Sequence, residues 1–321
     1  YYTLDAQRFI FASEMKAIHS LMPLTFDRQI LTQYLSFQTP LSPQTFDRYI
    51  HQVNAGEMLT FTLDSQKVEK QKYYTPFSET QTISSQEKAE EKLEKTLLES
   101  VSLRLPKEAK FACLLSGGVD SSLISAMASL EQKVDTFSIG YEGYEKYDER
   151  PFAKAVAEHI NSNHHEVLFS QADFLQTIED VVTSLDEPLA DPAMLPLYYL
   201  MKAVHKEGFK VVLTGDGSDE LFMGYRTYKE FYDLEQAKEL EFKGWLQHYF
   251  KSHFSMHKEW EWYKRVFEES TLFRSTAEIF TDLQQNRLLR MNVKDNNSLK
   301  ALEPYIEEFE QSGRVSPVDW Y

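Results

Sequence analysis

From residue 86 onward, short apolar runs alternate with segments in which apolar residues recur every three or four positions. The runs predict buried strands, and the three- and four-residue spacing predicts amphipathic helices. The predicted strands are Phe111–Leu115, Val134–Ile139, Glu166–Phe169 and Lys210–Thr214, and the predicted helices are Gln86–Leu103, Ser121–Leu130, Arg150–Ile160, Ala172–Leu185 and Leu195–Lys206. Apolar strands separated by helices indicate an α/β fold, with a parallel sheet that carries helices on both faces.

Residues 1–75 have a different, β-rich pattern. Residues 8–13 predict a strand that leads into a short helix over 14–20. Residues 57–63 alternate with period two, and 67–74 return after a polar turn, which predicts a hairpin. Because the chain begins in the middle of such a pattern, at Tyr1-Tyr2, we expect it to be part of a longer protein.

Two further segments complete the predicted organisation. The polar residues of 76–88 predict a linker, so that a second domain spans 89–321. Residues 231–321 predict its helical last part. Their aromatic side chains favour packing over cofactor binding, and they include Phe231, Tyr232, Trp245, Tyr249, Phe250, Trp260, Trp262 and Tyr263.

Composition narrows the class of protein. The net charge of −16 over 321 residues disfavours general nucleic-acid binding, and no block of Lys and Arg compensates for it. The single cysteine, Cys113, lies in an apolar run and cannot form an internal disulfide. A reducing, cytoplasmic location is therefore expected. No apolar run reaches the roughly 18 residues of a membrane span, so no membrane association is expected.

The first chemically informative motif is Ser116-Gly117-Gly118-Val119-Asp120-Ser121-Ser122, which follows a predicted buried strand and opens a predicted helix. Glycines let the backbone approach a phosphate group closely, and a helix start offers unpaired N–H groups to an anion. Asp120 would repel a phosphate by itself, and holding Mg²⁺ is therefore its natural role. The Gly-Lys-Ser/Thr ending of a P-loop is absent.

A second glycine-bracketed loop, Thr214-Gly215-Asp216-Gly217-Ser218-Asp219-Glu220, follows the last predicted strand. Its three carboxylates are costly to crowd together unless a cation is near. Asp219 could share Mg²⁺ with Asp120, and Asp216 is expected to face the cleft. In parallel sheets ligands bind beyond the carboxyl ends of the strands, where both loops are predicted to lie.

Three other motifs are less specific. In Asp186-Glu187-Pro188-Leu189-Ala190-Asp191-Pro192, the carboxylates of Glu187 and Asp191 could line a pocket for an amino group, or belong to an ordinary loop. His164-His165 lacks the spacing of a helical metal pair and is interpreted as polar residues leading into a strand. Residues 147–150 predict the first turn of a helix, with a contact to the nucleotide side as the alternative.

The motif at 114–122 resembles the PP-loop of the asparagine synthetase family. Later landmarks follow in the family's order: Phe137-Ser138-Ile139-Gly140, Asp148-Glu149, His164-His165-Glu166, Asp186-Glu187-Pro188, Gly215–Phe222 and Gly224-Tyr225. Upstream, Tyr1-Tyr2, Phe11–Lys16 and Gly56–Leu59 resemble the end of a class II glutaminase domain. The resemblance covers roughly residues 1–230 and implies a PP-loop ATP pyrophosphatase fold after the end of an N-terminal nucleophile amidotransferase domain.

The resemblance also implies an activity. An enzyme of this kind binds ATP and Mg²⁺, adenylates the side-chain carboxylate of aspartate, releases pyrophosphate, and forms asparagine with ammonia taken from glutamine. Its small-molecule substrates would be aspartate or another carboxylate and glutamine or ammonia, and a homodimer is among its expected assemblies. By resemblance, Asp120 and Asp219 hold Mg²⁺ and Asp216 takes part in forming the acyl-adenylate, where the family often has glutamate. The residues facing pyrophosphate would be Ser116, Gly117, Gly118, Asp120, Ser121 and Ser122, and those facing adenosine Leu115, Ile139, Thr214 and Gly215.

The chain departs from the family's pattern in two places. The glutaminase nucleophile has no counterpart, since Cys113 lies in a strand of the other domain, and the later lysine and Arg-x-Pro-Phe-Leu-Asp region is not matched. Residues 231–321 depart most, which favours a specialised relative that amidates a sugar acid or closes a β-lactam ring. A PP-loop enzyme acting on tRNA and a catalytically incomplete nucleotide-binding homologue are the remaining alternatives.

Overall fold

Eight strands and eleven α-helices are found in the part of the chain that the structure describes. The computed structural model describes residues 1–5, 8–77, 83–236, 277–291 and 298–314, with isolated positions between 244 and 273 and at 316. The strands are β1 (Tyr2–Leu4), β2 (Phe9–Phe11), β3 (Glu57–Thr62), β4 (Lys67–Lys72), β5 (Phe111–Leu114), β6 (Asp135–Tyr141), β7 (Asn163–Phe169) and β8 (Val211–Leu213). The helices are α1 (Met15–His19), α2 (Ile30–Phe37), α3 (Gln86–Arg104), α4 (Val119–Glu131), α5 (Arg150–His159), α6 (Gln171–Ser184), α7 (Met194–Lys206), α8 (Ser218–Phe222), α9 (Arg226–Gln236), α10 (Asp282–Leu289) and α11 (Glu303–Gln311).

These elements form two compact units. The first contains residues 1–80, 186–190 and 225–321, and the second contains residues 81–185 and 191–224. Sequence reasoning assigned 231–321 to the ATP-dependent domain, whereas contacts group its described residues with the first unit. The predicted domain limits stay a prediction. No helix in the described part of the chain combines the length and the apolar character that a membrane crossing requires.

The second unit is built on a four-stranded parallel sheet in the order β7-β6-β5-β8. Alternate residues of β5 face opposite sides of this sheet. Phe111 and Cys113 pack with Val101 of α3 and with Met127 and Ala128 of α4.

The other face of the same sheet is covered as well. Ala112 of β5 and Phe137 of β6 pack with Leu200 and Val204 of α7. A parallel sheet with helices on both faces is thus confirmed. Buried Cys113 has its pKa raised by burial to about 11, in keeping with its predicted role as a strand residue.

The first unit contains two antiparallel strand pairs. Strands β3 and β4 form the predicted hairpin, with Glu57 opposite Lys72 and Thr62 opposite Lys67. Strand β2 pairs with β1, which sequence reasoning did not predict. A small core beside them is formed by Met15, Ile18 and Ile50.

The predicted helical character of the last part is seen in α9, α10 and α11. Of its aromatic side chains, Phe231 and Trp262 are buried, as the packing interpretation expects, whereas Tyr232 is 52% exposed. Trp245, Tyr249, Phe250, Trp260 and Tyr263 lie outside the described residues, as do 78–82 of the predicted linker.

Candidate functional site

The motif at residues 116–122, called the first loop below, is held together by its own hydroxyl groups. The Oγ atoms of Ser116 and Ser121 lie 2.9 Å apart, and the backbone N–H of Ser116 donates to Ser121 Oγ at 3.2 Å. The N–H of Gly118 donates to Ser116 Oγ at 3.2 Å. No side chain caps the start of α4 at Gly118, and the N–H of Ser122 donates to the carbonyl of Gly118 at 3.1 Å. A helix start without a side-chain cap is suited to an anion.

Gly117 has a conformation that requires glycine. Its φ is +85°, in the left-handed region that side chains disfavour. A Cβ atom there would lie 2.5 Å from Cβ of Phe152 and 2.6 Å from the backbone N of Ala153. The first turn of α5 therefore packs directly against the loop at Gly117.

The second loop leaves β8 and returns immediately into α8. Gly217, with φ +89°, is the residue before this helix, and the N–H of Asp216 donates to Thr214 Oγ1 at 3.4 Å. Asp219 lies in the first turn, and its Oδ1 occupies the space that a Cβ on Gly224 would need. Asp216 is exposed, and its predicted orientation toward the cleft stays a prediction.

The structure brings the two loops together. Strands β5 and β8 are neighbours, so their carboxyl ends meet at the same edge of the sheet. A Cβ on Gly215 would lie 2.7 Å from the backbone N of Ser121 and 2.9 Å from Cβ of Asp120. The second loop therefore lies directly against the first turn of α4.

Asp120 and Asp219 are both half-buried and both lie in the first turn of a helix that begins at this edge. Two carboxylates of this kind are suited to Mg²⁺, which typically takes one or two protein carboxylates and completes its shell with water and phosphate oxygens. Among the described residues there is no cluster of three or more metal-binding side chains. The assignment of Mg²⁺ to these two residues stays a prediction.

Leu115 and Ile139, predicted to face adenosine, direct their side chains into the protein. Leu115 is 1% exposed and packs on Ala153 and Ala157 of α5, and its N–H donates to the carbonyl of Phe137 at 2.8 Å. Ile139 packs with the apolar residues between the sheet and α7. A nucleotide could reach only backbone atoms at Leu115.

The predicted amino-group pocket at Glu187 and Asp191 has its carboxylates engaged by backbone. Glu187 Oε1 accepts the N–H of Phe46, and burial raises the pKa of this carboxyl. Asp191 Oδ1 accepts the N–H of Ala193 at 2.9 Å. Their role toward a substrate stays a prediction.

Asp186 has a role that sequence reasoning missed. Its two carboxylate oxygens accept the N–H groups of Met15 at 2.9 Å and of Lys16 at 3.2 Å, at the start of α1. The residue at the N-cap position, Glu14, makes no side-chain cap bond. A helix start without a local side-chain cap indicates that another group accepts its N–H groups. It does not indicate which distant carboxylate does so.

The two adjacent histidines lie within β7 rather than before it. His164 contacts Thr136 Oγ1 at 2.9 Å and Ser138 Oγ at 3.1 Å, and burial lowers its pKa. His165 stacks on Phe137 with ring centroids 4.3 Å apart. Both rings contact residues of the neighbouring strand β6.

Residues 147–150 form a helix start, as predicted. A 3₁₀ turn ends at Tyr147, and α5 begins at Arg150. The guanidinium of Arg150 forms a two-point pair with Asp148, with Nε to Oδ1 at 2.8 Å and Nη2 to Oδ2 at 2.7 Å. This pairing lowers the pKa of the Asp148 carboxyl.

Comparison with known proteins gives two family matches. Residues 92–319 match the model described as asparagine synthase, and residues 1–74 match the glutamine amidotransferase domain. Asparagine synthetase [glutamine-hydrolyzing] 1 of Bacillus subtilis is 32% identical over 232 residues, which are 72% of this chain and 36% of that protein. Amidase chyE of Penicillium rubens is 28% identical over 250 residues, 71% of this chain and 36% of the relative.

The chain thus spans about a third of the length of these two curated relatives. Among solved structures, the NMN synthetase of Francisella tularensis matches with a TM-score of 0.32 and 14% identity, over 71% of this chain and 89% of that one.

Proposed function

Because the chain belongs to the asparagine synthase family, we propose that it carries the nucleotide site of an ATP-dependent, amide-forming ligase. The observation that supports this most directly is the contact of the two glycine loops at the carboxyl ends of β5 and β8. One loop offers N–H and hydroxyl donors, and the other offers carboxylates. A nucleoside triphosphate binds as a complex with a cation. Its phosphate oxygens require N–H and hydroxyl donors, and the cation requires carboxylates beside them.

In the proposed reaction, a carboxylate oxygen of the acceptor attacks the α-phosphorus of ATP, and the bond to the β-phosphate oxygen breaks. The acceptor becomes an acyl-adenylate, and pyrophosphate leaves. Ammonia then attacks the acyl carbon, AMP departs with the bonding electron pair, and the nitrogen loses a proton to give the amide. A carboxylate is a poor electrophile, and bonding one of its oxygens to the α-phosphorus makes that oxygen part of a good leaving group, AMP.

The residues of the first loop would stabilise the departing pyrophosphate. Ser116 and Ser121 would supply hydroxyl groups, and Gly117 and Gly118 let the phosphate oxygens approach the backbone. The Oγ of Ser122 is buried, so its hydroxyl is not exposed to a ligand in this structure. Because the loop is already held in shape by its internal hydrogen bonds, little reorganisation is needed when charge develops.

Asp120 and Asp219 would hold Mg²⁺, which neutralises charge on the phosphate oxygens when bound. Asp216 would act in acyl-adenylate formation. Its exposed position in the second loop is compatible with contact to a bound acceptor. A carboxylate on a short side chain at this position would reach less far than the glutamate common in the family.

Aspartate is the first acceptor to test, with glutamine or ammonium as the nitrogen source. The amidase name of one relative supports including other acids, such as sugar acids and β-amino acids that can close a β-lactam ring. We place the reaction in the cytoplasm, because the chain has one cysteine and it is buried as a free thiol.

The test uses the complete open reading frame with ATP, Mg²⁺, ammonium or glutamine, and a panel of acids. Acid-dependent pyrophosphate release and an amide product identified by mass spectrometry are expected. Asp120→Asn should abolish release, whereas Asp180→Asn, on α6 and paired with Lys202, should not. A folded, ATP-binding protein that releases no pyrophosphate with any acid would leave only a nucleotide-binding homologue. Co-purified tRNA would favour the tRNA-modifying alternative.

A further inference from the structure

Residues of helix α5 fill the space beside two glycines, Gly117 of the first loop and Gly140 of β6. A Cβ on Gly117 would lie 2.5 Å from Cβ of Phe152, and a Cβ on Gly140 would overlap the side chain of Arg150. Between these points Leu115 packs on the small residues Ala153 and Ala157. The position of α5 is therefore fitted to the first loop over several residues.

Arg150 fixes the start of this helix. Besides the two-point pair with Asp148, its Nη1 lies 3.7 Å from Glu166 Oε2 on β7, and its backbone N–H donates to Asp148 Oδ1 at 3.1 Å. The N-cap residue, Glu149, makes no side-chain cap bond. The first turn of α5 is thus held in two ways, by the pairing of the Arg150 side chain with its two carboxylates and by the cap-type bond from the Arg150 N–H to Asp148.

We propose that Arg150 is a positioning residue for the phosphate-binding loop. By holding the first turn of α5 beneath Gly117, it keeps the loop in the shape that presents its N–H groups to pyrophosphate. This inference rests on the proposed function, since it concerns how the same site is held. Arg150 itself is paired and is not assigned a contact with the ligand.

The geometry explains why arginine is used. A planar guanidinium forms two parallel bonds with Asp148 and still directs a third nitrogen toward Glu166, whereas an ammonium group is a point charge. Lysine at this position would keep the charge but lose the fixed orientation. Arg150→Lys should therefore weaken the binding of phosphate ligands less than Arg150→Met does, but more than no change. If only the charge of Arg150 mattered, Arg150→Lys would bind like the parent.

The test compares Arg150→Met, Arg150→Lys and Asp148→Asn in the full chain, by titration with ATP–Mg²⁺, with inorganic pyrophosphate–Mg²⁺ and with adenosine. We expect Arg150→Met and Asp148→Asn to bind both phosphate ligands about tenfold or more weakly. Adenosine affinity should stay within about twofold, and Arg150→Lys should fall between the parent and Arg150→Met. Lys154→Met is the matched control, because Lys154 is an exposed cation on the same helix outside the pair.

Equal loss for adenosine and both phosphate ligands in Arg150→Met would show a general structural role and overturn the proposal. Unchanged pyrophosphate affinity would overturn it as well. If the parent protein binds neither ATP nor pyrophosphate, the proposed function fails separately. In that case hydrogen exchange tests whether Arg150 positions the loop. Backbone amides of residues 115–119 should exchange faster in Arg150→Met than in Lys154→Met, and equal rates would refute the positioning role.

Discussion

Gly117 and Gly118 are adjacent, but only one of them is required by its surroundings. Gly117 has a positive φ and no space for a side chain. Gly118 has φ −69°, and a Cβ there would meet only Ser116 Oγ, at 3.3 Å. The two glycines look equivalent in the sequence, but the structure requires glycine only at position 117.

We expect Gly117→Ala to be much more damaging than Gly118→Ala. The first change forces strain at φ +85° and a clash with the α5 backbone, which together should lower the free energy of unfolding by about 2–4 kcal/mol. The second should cost about 1 kcal/mol or less. Urea unfolding of the two variants measures the difference, and equal destabilisation would contradict the described contact with α5.

Residue identity predicted the two loops and their common edge of the sheet, but not the strand pairing that brings them into contact. The glycines, hydroxyls and carboxylates of both loops are readable from the sequence. Their adjacency depends on β8, the last strand, pairing with β5, the first. Strand order is set by packing of the whole sheet, and local sequence patterns do not specify it.

At the scale of elements, helix α1 depends on a carboxylate far away in the sequence. Asp186 accepts two N–H groups at the start of α1, and the local cap position contributes none. We expect Asp186→Ala to lower the free energy of unfolding by about 1–3 kcal/mol, since two charge-assisted bonds are lost.

Glu14→Ala is the control for this prediction. Glu14 occupies the N-cap position, and among the described residues its carboxylate pairs with exposed Lys16, so its removal should cost about 0.5 kcal/mol or less. Chemical denaturation measures both variants. A larger effect for Glu14→Ala than for Asp186→Ala would show that the local position, rather than the distant carboxylate, supports α1.

Helix α10 begins beside a buried cluster of charges. Arg265 pairs with Glu261 at 2.8 Å and Glu278 at 2.6 Å, and Asp282 lies 3.7 Å away. In the part of this cluster that the structure describes, one cation faces three carboxylates, and burial together with Asp282 raises the pKa of Glu261 to about 7. The folded protein therefore holds a proton on Glu261 more tightly than the unfolded chain does.

A raised carboxyl pKa stabilises the folded state most at low pH, and that stabilisation is lost as the pH rises from about 4.5 to about 7. We expect Glu261→Gln to reduce the decline in unfolding free energy between about pH 5 and pH 7.5 by about 1–3 kcal/mol. Unfolding curves at several pH values measure the slope for the parent and the variant. Parallel slopes would show that Glu261 does not titrate in this range.

The elements from 86 to 214 were predictable because their apolar patterns are strong. Helix α2 was missed, since Thr, Tyr, Ser and Phe are mediocre helix formers and the helix is supported by distant contacts, such as Ser36 with Ser298 and Phe37 with Phe273. Strand β7 begins at Asn163, three residues before the predicted Glu166. Its histidines find partners across the sheet in β6, which no local pattern reveals.

At the scale of the whole molecule, the net charge of −16 acts on any anionic ligand. ATP–Mg²⁺ carries negative charge, so long-range repulsion should slow its association at low ionic strength. We expect its association rate constant to rise severalfold between about 10 mM and about 150 mM salt, as screening shortens the range of the field. Stopped-flow binding measures the rates, with uncharged adenosine as the control. A decrease with salt would indicate that a local positive potential dominates.

The pairing of β8 with β5 also bears on how the protein is made. The first loop is complete once residue 122 has been synthesised, but Gly215 and Asp219 follow only after β6, β7, β8 and the three helices α5, α6 and α7. At roughly 5–20 residues per second, a ribosome takes about 5–20 s to supply them. During that interval the nascent chain holds one of the two loops of the proposed nucleotide site, and the edge of β5 that later pairs with β8 is open to a chaperone or to a wrong strand.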